Sequence, residues 1–250
     1  MTTSIWAWLT AADSWRGPDG IPTRLQEHLS ITALVLLIAS AIAIPLGLWI
    51  GHSGRGRWLV ALANSARAVP TLGLLFALSL WIGPHIASDL AFTIPSIVVL
   101  VLLAIPPILS GTYAGVDAVD PAARDAARGL GLTRWGVLRQ VELPCALPLL
   151  LSGFRSATLQ VASTATIAAA IGLGGLGRYL IDGIAAGDYA ATAGGAVLVA
   201  VLAVALDVLL ALLTRVLVSP GLRTGTGRAR PRRTTGPDDA AATAVAASHT

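Results

Sequence analysis

The sequence predicts an all-α polytopic membrane protein with about five transmembrane helices, and three observations lead there. Of 250 residues, 55% are hydrophobic and only 12% charged, with a mean hydropathy of +0.75; a water-facing domain carries about a quarter charged residues. Five apolar stretches, at about 29–50, 58–82, 90–115, 145–171 and 191–218, are each long enough for a bilayer core that takes about 20 residues per crossing. The 17 basic residues are all arginines, and apart from Arg67 and Arg155, which lie inside helices, they divide unequally between the two sides of these stretches. Five crossings and polar ends use up the chain, so no large extramembrane domain fits.

Residues 1–24 hold Trp6, Trp8 and Trp15 among mixed charges. They lack the basic start, apolar run and small-residue cleavage site of a signal peptide, and are read as an external N-terminal segment. The membrane domain occupies 25–219. Pro45, Pro70, Pro95, Pro106 and Pro107 fall within its apolar stretches, where they suit moving helices and static kinks equally. Residues 220–250 turn to Gly, Thr, Arg and Pro and then to an Ala-rich end without apolar periodicity, the composition of a disordered cytoplasmic tail.

Arginines accumulate on the cytoplasmic side of membrane proteins. Twelve of them (55, 57, 124, 128, 134, 139, 215, 223, 228, 230, 232 and 233) fall in one set of compartments, against Arg16, Arg24 and Arg178 in the other. That asymmetry places the N-terminus outside and the C-terminus inside. Trp49, Trp58 and Tyr113 then lie at inner helix ends, and Trp81, Phe92, Tyr179 and Tyr189 at outer ends, as an interfacial aromatic belt requires.

The polar loop 116–144 has the pattern of a hook. Asp120 and Pro121 form an N-cap and first turn, 122–128 favours helix, and Gly129 and Gly131 can stop it. Thr133 can cap a second short helix with Trp135, Leu138 and Val141 on one face, ended by Leu143 and Pro144. On periodicity alone a re-entrant or surface amphipathic connector is favoured over a docking site.

At these residues the chain resembles binding-protein-dependent ABC importer permeases. Asp125-Ala126-Ala127, three residues, Gly131, nine residues, then Val141-Glu142-Leu143-Pro144 is similar to their EAA loop, with Asp125 standing where the family has Glu. The resemblance extends over about 25–218. It is strongest to osmoprotectant permeases in Glu27-His28-Leu29, Ala68-Val69-Pro70-Thr71, Gly129-Leu130-Gly131-Leu132-Thr133, the run 165–177 and Ile181-Asp182-Gly183-Ile184. It implies a type I ABC importer permease fold. It also implies coupling through Asp125, Ala126, Ala127, Gly131, Val141, Leu143 and Pro144 to a cytoplasmic ABC ATPase. An extracellular substrate-binding protein and a second permease subunit, identical or sister, complete the expected assembly, which would move glycine betaine, choline, carnitine or proline across the cytoplasmic membrane. The loop is shared across substrates, so methionine or a phosphonate is an alternative cargo, and a non-transporting membrane scaffold an alternative class.

The chain itself is expected to be no enzyme. Without lysine it has no P-loop, Schiff-base or Lys-nucleophile chemistry, so ATP belongs to the partner subunit and no cofactor to this chain. Cys145 is the lone cysteine and His28, His52, His85 and His249 are scattered, which leaves no metal site. Serine and histidine share no helix depth, which disfavours an intramembrane hydrolase. The positive charge tracks topology, so nucleic acid is not an expected partner. Phe76 and Phe154 alone are too few to cage a quaternary ammonium within the membrane, so tight solute selection falls to the binding protein.

Three further features concern the pathway. Gly172, Gly174, Gly175 and Gly177 match a dinucleotide fingerprint by letter but follow a membrane helix rather than a strand. They form either a Gly-rich turn or, as the resemblance implies, part of an external gate. Ser152, Ser156, Gln160 and Ser163 make a polar stripe on the fourth helix, suited to helix packing or to lining the path. Arg155 lies 11 residues from Pro144 and Asp207 12 residues from Ser219, so both reach about 16–18 Å into a core about 30 Å thick. They are expected to pair, as a packing clamp or a gate, with Arg67 as a competing partner for Asp207.

Overall fold

Four apolar segments fold into helices long enough to cross a bilayer alone. They are α2 (Ile21–Ser53), α5 (Leu90–Asp117), α8 (Leu143–Ala168) and α10 (Tyr189–Leu217). The computed structural model describes residues 4–86 and 90–219, and these contain helices and no strand. The tail 220–250 lies outside the described residues. Short helices fill the ends and the loop: α1 (Ile5–Thr10), α6 (Pro121–Gly129), α7 (Arg134–Val137) and α9 (Gly177–Ala186).

The stretch 58–82 is not one straight rod. It forms α3 (Arg57–Ser65), continued by a 3₁₀ turn to Ala68, and then α4 (Thr71–Ile82), with a bend of 92° between Arg57–Ala68 and Thr71–His85. Pro70 has no N–H to donate and pushes its predecessor out of the helical region; Val69 is accordingly extended at φ −74°, ψ 129°. Counted together as one broken span, the two limbs bring the candidate crossings to five. Pro45 in α2 and Pro95, Pro106 and Pro107 in α5 break nothing, and their helices run on.

Leu143 and Pro144, expected to end the cytoplasmic segment, begin α8 instead. The chain is helical without interruption across Arg134–Ile171, passing through a π-helical stretch at Leu138–Glu142. Pro144 cannot supply the N–H that an α-helix would aim at residue 140, and a locally widened helix just before it absorbs that loss.

The centre of the bundle is α5, packed along α2 on one side and α8 on the other. Lipid gives no hydrophobic drive between helices, so close approach of small residues must hold them. A Cβ on Gly153 of α8 would stand 2.4 Å from the Pro107 carbonyl of α5, and one on Gly111 of α5 2.6 Å from the Leu149 carbonyl of α8. Likewise Gly47 and Gly51 of α2 seat Thr112 and Val116 of α5. The most apolar part of α10 buries nothing inside the chain, and its Gly194 and Gly195 hold it to Trp8 and Tyr179 near its start.

Candidate functional site: a capped hook and a polar seam

The hook is built by its caps. The Asp120 carboxylate accepts from Ala122 N at 2.9 Å and the Thr133 hydroxyl accepts from Gly136 N at 3.2 Å, each satisfying an orphan donor at a helix start. Between them Gly131 sits at φ +85° with open space where a Cβ would be, the left-handed turn that reverses the chain. Asp125, Ala126 and Gly131 are exposed and Ala127 is buried. Asp125 accepts from Arg128 Nη1 at 3.2 Å, a local pair on the hook's own surface. Leu130 is 82% and Trp135 68% exposed.

The second half of the loop motif is placed differently. Val141 and Leu143 are half-buried and Pro144 exposed, while Glu142, 1% exposed, turns inward. Its Oε2 lies 2.6 Å from His52 Nδ1 at the end of α2, and its Oε1 2.8 Å from Arg124 Nε on α6. Arg124 Nη2 also donates to the Val116 carbonyl of α5 at 2.5 Å. One carboxylate thus ties the hook to α2 and, through Arg124, to α5. Sequence reasoning missed Glu142, Arg124 and His52 as a unit; the available signal was a lone acid inside Val141-Glu142-Leu143.

Higher in the bundle, Ser152, Ser156 and Ser163 of α8 are exposed and Gln160 is half-buried, on a face that no other described helix covers. About a quarter turn round α8 from this stripe, Arg155 meets Asp207 of α10. Arg155 Nε donates to Oδ1 at 2.6 Å and Nη2 to Oδ2 at 2.5 Å, the two-pronged geometry that suits a guanidinium and a carboxylate. Arg67 takes no part in this pair.

At the other end of the bundle the glycine turn is clasped to the start of α2. Glu27 Oε2 accepts from Gly175 N and from Arg24 Nη1, each at 2.9 Å, and Arg24 also pairs with Asp19. A Cβ on Gly174 would stand 2.6 Å from Glu27 Oε2. Gly172 and Gly175 adopt φ +96° and +93°, and Gly175 rests against the buried His28, whose Nε2 donates to the Ala162 carbonyl at 3.1 Å. Gly177 starts α9 in contact with Thr166. The Tyr179 hydroxyl donates to the Asp19 carbonyl at 2.5 Å; burial pushes this phenol above its ordinary pKa. Arg24, Arg178, Tyr179, Asp182 and Asp188 line a cavity of about 410 Å³ beside this clasp.

Long apolar helices with an exposed, capped hook between two of them define a multi-pass membrane protein. Residues 43–224 match the binding-protein-dependent transport system inner membrane component family, and the chain belongs to it. It is 35% identical to the osmoprotectant import permease protein OsmW of Salmonella typhimurium over 204 residues, covering 79% of this chain and 91% of that one. It is 32% identical to the glycine betaine/carnitine/choline transport system permease protein OpuCB of Bacillus subtilis, covering 79% and 88%. With the carnitine transport permease protein OpuCD of Listeria monocytogenes the identity is 34%, covering 76% and 83%. The fold is similar to a chain of the inward-facing MetNI methionine ABC transporter, with a TM-score of 0.66 at 21% identity over 78% of this chain and 94% of that one. The protein is therefore an ABC importer permease subunit of type I fold, multi-pass in the membrane. Its family implies an ATPase and a substrate-binding protein as partners.

Proposed function

We propose that this chain imports osmoprotectants of the glycine betaine, carnitine, choline or proline type, driven by a separate ATPase whose cleft receives the hook. The observation that carries the coupling role is the division of the loop. Its first half is open, with Leu130 82% exposed, and its second half is sealed to the bundle through Glu142. An exposed leucine beside alanines and a left-handed glycine leaves room for another protein's groove to approach the backbone. The names of the relatives support the solute class.

The arginine distribution supports an N-terminus outside and a C-terminus inside, with 1–24 external and 220–250 a cytoplasmic tail. In this reading Ser152, Ser156, Gln160 and Ser163 line the path between two permease copies, identical or sister. The turn 172–177 belongs to the external gate, where the binding protein docks. The chain holds no ATP site and no cofactor of its own. Reconstitution of the purified assembly in liposomes, followed by ATP-dependent uptake of labelled betaine, choline and methionine, tests the reading. Uptake of betaine or choline is expected; uptake of methionine alone would overturn the solute class, and ATP-independent behaviour the function.

A further inference from the structure

Arg67 lies well inside its apolar stretch, as Arg155 does, but outside the Arg155–Asp207 pair, and its position can be read from the register of two helices. α3 runs antiparallel to α5: Arg57 Nη2 donates to Asp117 Oδ1 at 3.1 Å, and seven residues further along each helix Asn64 Nδ2 donates to Ser110 Oγ at 3.0 Å. Three more residues bring Arg67 level with Pro107, whose carbonyl lies against Gly153 of α8. Pro107 is ten residues from Asp117, the cytoplasmic end of α5, hence about 15 Å deep by the helical rise. That is the middle of a hydrocarbon core about 30 Å thick. Arg67, Ser152 beside Gly153, and the Arg155 pair share one level.

At that level Arg67 is exposed, as is every residue from 64 to 70. It has no hydrogen bond or ion pair among the described residues. A guanidinium left bare in hydrocarbon is costly, so it must face water or a counter-charge. A second copy of this chain supplies no such charge from its described spanning interior, because Asp207 is the acid at this depth and Arg155 already holds it. An aqueous path with an anionic group passing through it meets that need.

We infer that Arg67 is a carboxylate-reading station at mid-membrane, where the broken span turns against α5 at the depth of Ser152 on α8. It gives the path a preference for solutes with a carboxylate, such as betaine, over cations such as choline that share the trimethylammonium head but lack the acid. The inference rests on the importer reading above. A planar guanidinium suits this task because it offers a fork of donors to two oxygens and stays charged at every working pH.

The test uses the full reconstituted assembly with an unchanged binding protein, so any change in the solute ratio arises in the permease. Arg67→Gln is expected to lower the betaine-to-choline uptake ratio about tenfold, the effect of losing a charged hydrogen bond, while Arg67→Lys keeps most of it. An unchanged ratio, with both solutes falling alike or neither falling, overturns the inference. A second measurement is independent of the solute. In a Cys145→Ser background, Arg67→Cys should react with a membrane-impermeant thiol reagent; an unreactive, well-folded variant would mean that position 67 faces lipid or protein, and would also overturn it. If the wild-type assembly carries neither betaine nor choline yet the cysteine reacts, the solute class fails and the aqueous station stands. The ratio is then read between methionine and its amide, with the same expected loss for the acid and the same refutation.

Discussion

Replacing Glu142 with alanine removes the carboxylate that holds the hook to the bundle. Two contacts go at once: His52 Nδ1 at 2.6 Å and Arg124 Nε at 2.8 Å. Breaking a buried ion pair from one side costs about 3–5 kcal/mol, because the other charge is left uncompensated. Arg124 keeps the Val116 carbonyl and is 19% exposed, so water relieves part of that loss and the lower figure, about 3 kcal/mol, applies. Glu142→Gln keeps the shape and one acceptor and should lose about half as much. Reversible denaturation in detergent measures the cost, and a double-mutant cycle with Arg124→Ala isolates the pair. In the reconstituted assembly the same variant should hydrolyse ATP while uptake falls, since a hook that still docks no longer pulls on α2 and α5. Additive single-mutant costs, or uptake preserved beside a measured destabilisation, would refute the reasoning.

On the hook itself, Gly131→Ala strains a left-handed turn by about 1–2 kcal/mol, whereas Gly129→Leu adds bulk in open space at a residue without positive φ. Loss of ATP-driven uptake in both, with membrane insertion intact, is expected, and full uptake by Gly129→Leu would remove the steric case for docking there. Arg155→Asp and Asp207→Arg should each impair folding or uptake, and the double reversal should recover much of it; a double variant as inactive as the singles contradicts a pairing role. Gly175→Ala combines a φ of +93° with a Cβ about 3.0 Å from His28 Nδ1, so it should loosen the Glu27 clasp and reduce uptake without altering basal ATP hydrolysis. Truncation after Leu222 should leave uptake unchanged, measured against matched expression.

What the sequence makes legible is what depends on one helix at a time. Apolar length places the spans, the Asp120 and Thr133 caps are local, and a constant rise per residue is enough to count Arg155 and Asp207 to one level. What it hides depends on neighbours. Proline has the same missing donor at 70, 95, 106 and 107, yet only Pro70 interrupts its helix. The three in α5 are buried where α2 and α8 pack against them, and Pro70 is exposed. Leu143-Pro144 reads as a stop because the π-helical widening that carries the chain past it has no sequence period of its own. Glu142 needs partners 18 and 90 residues away in the chain, and no window on the sequence spans both.

The contacts also say how a displacement would travel on the proposed reading. α5 meets α8 backbone to backbone at Gly111 and Gly153, and its Thr112 and Val116 side chains seat on Gly47 and Gly51 of α2, so the three helices have little room to slide. Glu142 and Arg124 fasten the hook to α2 and α5 of that unit. A push on the hook therefore moves α2, α5 and α8 together. By contrast α10 is joined to α8 at depth by the Arg155–Asp207 pair and to α1 and α9 near its start, and α3 and α4 are joined by an extended Val69-Pro70. These are the compliant parts. Relative motion should concentrate at the 92° bend, which is where Arg67 stands, so the station that reads the solute lies on the joint most able to respond to the hook.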